Sequence, residues 1–323
     1  MKVTNINTSN DMEFFSDSDK ENFYEVVGNS IEALKQEFPK YDTKLLDLIY
    51  SNRKYLDVKP EISDLNIKGL HVYRSLLANN IYQSRNYSQK EEIDTLNKKG
   101  ILIINNFLSD KEFKKVEDTF LKVKQQFPDG KHIKAKVNNF FNNNLDYLNL
   151  IKECAHVKEF SDDTFDNVPR SEFWYHKHES NDPQYNFHSD TFHPTIKCWL
   201  YIEDIAEEQG PFQYIPFSNL YTKTRMIWDY ENSNMKPGDD LWSRRIESNG
   251  NPGSFRIYNN SPTDIELKEL KRMGYKTSMS ACASKNTLVI ANTFGYHKRG
   301  IGKEDTFRST LTSQYRPVAF RVY

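Results

Sequence analysis

Cysteine is scarce in this chain: three residues in 323, Cys154, Cys198 and Cys282, far apart and in no C-x-x-C pair. So small and scattered a set argues against a disulfide framework and a zinc knuckle, and fits a reducing compartment. An excess of charge of either sign is also missing. Lys and Arg number 44 against 45 Asp and Glu, so no basic field draws the chain nonspecifically to nucleic acid or to an anionic membrane. No apolar run approaches the roughly 20 residues of a membrane span. The opening "MKVTNINTSNDMEFFSDSDK" lacks an apolar core of signal-peptide length. These absences set the expectations of a cytoplasmic location, a small-molecule partner, no nucleic acid and no membrane; they leave the oligomeric state open. No internal repeat is present.

What is present is aromatic and apolar. At 37% hydrophobic and 14% aromatic residues, the chain can build the core of one large domain with an appendage. From about Glu21 to Asn97 the text reads as helices with polar breaks; Phe23, Val26, Val27, Ile31, Leu34 and Phe38 recur at helical spacing and predict a packing helix. Next, "GILIINNFLSDKEFKKVEDTF" passes from a strand-like run into a capping box at Ser109 to Glu112. The helix that follows carries Phe113, Val116, Phe120, Val123 and Phe127 on one side, a core stripe with no chemistry of its own.

Beyond Asn138 the helical rhythm stops. The Asn-rich "NNFFNNN" is read as loop. Lys197 to Ile202, Phe212 to Phe217, Asn286 to Asn292 and Arg308 to Pro317 have strand chemistry, and no crossover helices lie between them to serve a parallel sheet. An antiparallel sandwich or barrel follows, mainly β with flanking helices. One helix is expected near "SPTDIELKELKRMG", with Ser261 as N-cap, Pro262 at its first position and Gly274 at its end. The division expected is a helical N-terminal extension over 1–94 and a catalytic domain over 95–323. Within the latter, 219–285 is an insertion that acts as a lid, with Glu247 to Gly253 supplying loop motion.

The chemistry concentrates in "YNFHSDTFHPTIK". On an extended strand, residues i and i+2 share a face, so His188 and Asp190 can bind one ion together; a polar bend in which both side chains hydrogen-bond is the alternative. A remote partner strengthens the metal reading, because "NTLVIANTFGYHKRG" runs along a strand to His297. Two imidazole nitrogens and one carboxylate are the facial triad of non-haem Fe(II) oxygenases, which leaves positions open for a co-substrate and dioxygen. Eleven residues after His297 comes Arg308, a fork-shaped cation suited to the distal carboxylate of 2-oxoglutarate, with Thr310 on the same strand face as a hydroxyl helper. The alternative for Arg308 is a surface ion pair. His176 and His178 form a competing i, i+2 pair with no glycine ahead of it, whereas His156 and His193 are read as ordinary satisfied histidines. Cys198, inside an apolar strand, is read as a small hydrophobe.

These residues resemble the phytanoyl-CoA dioxygenase family of Fe(II)- and 2-oxoglutarate-dependent oxygenases. "HSD", "YHKRG" and "TFRSTL" occupy the places of its H-x-D, distal histidine and following arginine, and "GILIINNFLSDKEF" and "KCWLYIEDIAEEQGPFQYIPFSN" are similar to its opening and central segments. The likeness runs over about 95–323. It implies a double-stranded β-helix, or cupin-like jelly roll, with Fe(II), 2-oxoglutarate and dioxygen as cofactor and co-substrates. It implies His188, Asp190 and His297 as metal ligands and catalytic centre, and Arg308, Thr310 and Trp199 near the 2-oxoglutarate. Two positions depart from the pattern: the family's "PGSH" turn is "PFSN" at Pro216 to Asn219, and the residue two after the distal histidine is Arg299. The expected reaction is hydroxylation of a small polar metabolite or saccharide-type substrate, with release of succinate and CO2. Acyl-CoA hydroxylation is an alternative, weakened because only scattered charges such as Arg244, Arg245 and Arg256 are offered to its phosphates. A non-catalytic jelly-roll binder would not need Arg308, and an oxidative halogenase would lack the carboxylate of Asp190.

Overall fold

A computed structural model describes residues 67, 69–85, 88–126, 132–136, 144–158, 160, 170–177, 186–233, 264–265 and 267–317. The expected helix from Phe23 to Phe38, Phe127, the Asn-rich run over 138–143, His178, the charges Arg244, Arg245 and Arg256, and the stretch Glu247 to Gly253 lie outside the described residues. The strands are β1 (Ile101–Ile104), β2 (His132–Lys136), β3 (Arg170–Lys177), β4 (Phe187–His188), β5 (Ile196–Tyr201), β6 (Phe212–Tyr214), β7 (Asp264–Ile265), β8 (Met279–Ser280), β9 (Leu288–Asn292), β10 (His297–Arg299) and β11 (Phe307–Tyr315). The helices are α1 (Leu70–Ser84), α2 (Glu91–Lys99), α3 (Asp110–Gln125), α4 (Leu145–Ala155), α5 (Lys223–Ser233) and α6 (Leu267–Arg272). The chain divides into two compact units, one of residues 1–80, 190–193 and 221–276, the other of residues 81–189, 194–220 and 277–323.

The larger unit is a jelly roll of antiparallel strands. Its first sheet has the order β1-β9-β5-β11-β3-β2, and in its second β4, β10, β6 and β8 are neighbours in that order. Alternation along the strands of the first sheet makes two cores. Cys198 and Leu200 of β5, Leu288 and Ile290 of β9, and Leu311 and Tyr315 of β11 pack with the apolar stripes of α2, α3 and α4. Trp199 and Tyr201, and Val289 and Ala291, point the other way and meet Phe212 and Tyr214 of the second sheet. Alternate residues of a single strand thus build the helix-backed core and the wall of the interior.

The helices begin and end where local chemistry dictates. Ser109 and Glu112 form the reciprocal capping box at the start of α3. Three acidic residues open α2 and Lys98 and Lys99 close it, matching the helix dipole. Gly100 ends α2 at φ 79°, and a Cβ there would lie 2.2 Å from the Tyr214 hydroxyl; both conformation and space require glycine.

In the smaller unit α1 and α5 share an apolar patch, where Val72 and Met226 pack with Leu76, Tyr221 and Tyr230. The Tyr230 hydroxyl donates to the carbonyl of Ile67 at 2.8 Å. Here the expected helix at Ser261 begins later than the sequence suggests: Asp264 and Ile265 are extended, Ile265 is buried, and α6 starts at Leu267. Its end is as expected, at Gly274 with φ 88°. Among the described residues no helix is long and apolar enough to cross a membrane.

Candidate metal centre

Strands β4 and β10 place the two histidines. His297 is the direct antiparallel partner of His188, so both side chains leave the sheet on one face, with ring centroids 4.5 Å apart. Each ring is fixed in the same way. Nδ1 of His188 lies 2.9 Å from the carbonyl of Asn186, and Nδ1 of His297 lies 2.8 Å from the carbonyl of Gly295. A carbonyl oxygen only accepts, so Nδ1 carries the proton in both rings and Nε2 is the nitrogen with a lone pair for a metal. Asp190 follows on a bend; β4 stops at His188, so the pair is not held on one strand as the spacing suggested. The bend still delivers the carboxylate. Ligand atoms of His188, Asp190 and His297 all lie within 4.8 Å of one another, which among the described residues is the only such group of three or more. Two imidazoles and one carboxylate fit a divalent transition metal that keeps open positions.

Close packing holds this corner. A Cβ on Gly295 would fall 1.8 Å from the Tyr214 hydroxyl, which donates to the carbonyl of Asn292 at 2.8 Å. Ser218, in the "PFSN" turn, accepts the amide of Tyr296 at 2.7 Å and donates to the carbonyl of Ile215 at 2.7 Å. The turn is thereby tied to the residue just before His297. Phe217 in the same turn adopts φ 69°.

The other expected site residues line the interior. Thr310 pairs in register with Tyr201, a residue of the inner core, so Arg308, Thr310 and Thr312 share the inward face of β11 while Leu311 and Tyr315 face the helices. The Thr310 hydroxyl lies 3.1 Å from that of Thr312. Arg308 donates through Nη1 to the carbonyl of Gly210. Burial raises the Tyr201 phenol above its ordinary range and the nearby Arg308 guanidinium opposes the rise. Trp199 lies against Phe212 at 4.3 Å between centroids, tilted by 31°, and Phe212 lies 5.6 Å from His297. One ring therefore separates Trp199 from a metal-facing histidine.

His156 and Cys198 are structural parts. His156 caps α4 at φ 55°, its Nδ1 donates to the carbonyl of Tyr82 at 2.8 Å, and burial holds its pKa below the ordinary value. Burial pushes the Cys198 thiol up to about 12, which makes it inert. His176 is no part of the triad; it meets Arg299, whose Nη1 lies 2.9 Å from its Nε2. The sequence reading missed both the role of this pair and the strand β3 that carries His176. The signal was there, in an aromatic run "SEFWYHK" whose alternate members Phe173 and Tyr175 belong to the helix-backed core.

The sequence model described as phytanoyl-CoA dioxygenase matches residues 96–259. The chain belongs to the phytanoyl-CoA dioxygenase family. That match includes His188 and Asp190 and stops short of His297 and Arg308, so it is the pairing of β10 with β4 that brings the second histidine to the first. Among solved structures the chain is similar to HygX from Streptomyces hygroscopicus with nickel and 2-oxoglutarate bound, at 13% identity over 71% of this chain and 87% of that one, with a TM-score of 0.40. It is also similar to AviO1 from Streptomyces viridochromogenes Tue57, at 12% identity, 70% and 93% coverage and a TM-score of 0.41. A third is the epimerase SnoN in complex with Fe3+, alpha ketoglutarate and nogalamycin RO, at 11% identity, 70% and 85% coverage and a TM-score of 0.40. No curated protein matches the chain.

Proposed function

We propose that this member of the family is an Fe(II)- and 2-oxoglutarate-dependent dioxygenase that hydroxylates a small polar metabolite or saccharide-type substrate. The observation that carries the reading is the convergence of His188, Asp190 and His297 within 4.8 Å. The metal with its co-substrate would supply oxidation of a carbon–hydrogen bond by dioxygen, coupled to conversion of 2-oxoglutarate to succinate and CO2. His188 and His297 would hold the ion through Nε2, and their Nδ1–H bonds to backbone carbonyls keep both rings in the ligating tautomer. Asp190 supplies the anionic ligand. Arg308, on the inward face of β11, would receive the distal carboxylate, with the hydroxyl of Thr310 and the ring of Trp199 on the same interior. Trp199, Tyr201 and Phe212 are buried, and apolar surroundings of this kind would strengthen a pairing of that carboxylate with the guanidinium.

The test is succinate release across a panel of polar metabolites and saccharides, measured by mass spectrometry on Fe(II)-loaded protein. Release is expected to depend on one substrate class, and His188→Ala and Asp190→Ala are expected to lose it while keeping the wild-type unfolding temperature to within a few degrees. Consumption of 2-oxoglutarate at the wild-type rate in either variant would remove the metal assignment.

A further inference from the structure

Strand β10 presents two side chains to the interior. One is His297; the other, two residues on, is Arg299. Their cross-strand partners are Tyr214 and Phe212, both members of the inner core, and directly paired residues share a face. Arg299 reaches from this sheet to the other one, where its Nη1 lies 2.9 Å from Nε2 and 3.3 Å from Nδ1 of His176, against the ring and not in line with either nitrogen. His176 is buried and stands in register opposite Arg308. One imidazole therefore lies against one arginine and is the strand neighbour of another.

An imidazole that lies against Arg299 helps to aim it and, unlike a carboxylate in the same place, brings no negative charge of its own. Arg308, for its part, commits an Nη1 hydrogen to the carbonyl of Gly210. A carboxylate has about four lone-pair positions, and a guanidinium already engaged at one nitrogen leaves some of them to a second donor.

We propose that Arg299 is a second guanidinium of the co-substrate site, receiving the distal carboxylate of the 2-oxo acid together with Arg308, and that His176 is its positioning residue. The inference rests on the reading of His188, Asp190 and His297 as the iron site and of Arg308 as the anchor. Its consequence is selectivity: the site recognises a dicarboxylate through both guanidiniums and gains little from a 2-oxo acid that ends in a methyl group.

The test is a binding cycle on the full chain loaded with Fe(II) without oxygen, followed through the metal-to-ligand charge-transfer band. Two probes are titrated: 2-oxoglutarate, and 2-oxopentanoate, which has a methyl group where the former has its distal carboxylate. Wild-type protein is expected to prefer 2-oxoglutarate by about a hundredfold or more, and Arg299→Met to lower that preference by about tenfold or more with 2-oxopentanoate affinity within about twofold of wild type. His176→Phe, which keeps a ring against the guanidinium, should keep more of the preference than His176→Ala. Iron affinity by equilibrium dialysis should be unchanged throughout. If Arg299→Met does not fold, Arg299→Lys, which keeps the charge and loses the fork, is read in the same cycle. An unchanged preference in the Arg299 variant, with loss in Arg308→Met, overturns this inference and leaves the proposed function standing. No preference in the wild type overturns the reading beneath it.

Discussion

Two backbone carbonyls decide how the metal-facing histidines work. Each lies two residues before its histidine, at Asn186 and at Gly295, so the tautomer is set by local chain path and not by a distant partner. Sequence spacing reached these residues because H-x-D is a short-range pattern and because His297 closes a strand-like run. It did not reach Arg299 and His176, since nothing local ties a residue of β10 to one of β3; only the closure of the two sheets does so. Arg308 was legible by its distance from His297, and its inward direction follows from the pairing of Thr310 with Tyr201. Replacing it tests the role at this scale. Arg308→Lys keeps the charge and loses the two-pronged geometry, and a charge-assisted hydrogen bond is worth about 1.5 to 3 kcal/mol. The affinity for 2-oxoglutarate, read from the charge-transfer band in oxygen-free, iron-loaded protein, should fall by about one to two orders of magnitude, with iron affinity unchanged. An identical titration curve would leave Arg308 as a structural residue that holds the carbonyl of Gly210.

Among the elements, β1, β5, β9 and β11 and the capped helix α3 were legible because their apolar residues alternate or recur with the period of the structure they form. β3 was not. Its run "SEFWYHK" is flanked by polar, Asn- and Asp-rich text, and its histidine stands at ligand-pair spacing from His178, a pattern that masks the alternation. α6 was anticipated but begun too early, because Ser261 and Pro262 are a good start signal locally, whereas Ile265 is buried in an extended segment. The "PFSN" turn shows a departure from family pattern acquiring a physical meaning. Where the family has glycine, Phe217 sits at φ 69° and is 51% exposed. An L-residue in that region is strained by roughly 1 to 2 kcal/mol, while glycine adds roughly 0.5 to 1 kcal/mol of unfolded-chain entropy. Phe217→Gly should therefore be at least as stable as wild type and up to about 1.5 kcal/mol more so. Phe217→Ile, with a branched Cβ, should be less stable than wild type. Urea midpoints for the three proteins check the order, and a clear loss in Phe217→Gly would mean that the ring contributes packing that outweighs its strain.

At the scale of the whole molecule, each compact unit contains a buried histidine that resists protonation. In the smaller unit, burial first and then the guanidiniums of Arg74 and Arg225 hold His71 well below its ordinary value of 6.5. In the larger, burial holds His156 below the same value, with Arg85 adding to it and the carbonyl of Tyr82 opposing it. Because the unfolded chain takes up a proton near 6.5 and the folded chain only at lower pH, the unfolded state binds more protons as the solution is acidified. Folding stability is thus unaffected by these rings above pH 6.5 and falls as pH drops below it, by at most about 1.4 kcal/mol per pH unit for each histidine. Denaturant unfolding of metal-free protein between pH 7.5 and 5.5, a window above most carboxylate titrations, should show the decline. His156→Asn keeps a residue tolerant of φ 55° and removes the titrating ring. Its unfolding free energy should be lower than that of wild type at pH 7.5 and the gap should narrow toward pH 5.5. A constant gap across that range would show that His156 takes up its proton equally well in the folded and unfolded chain, and that acid lability in the larger unit has another source.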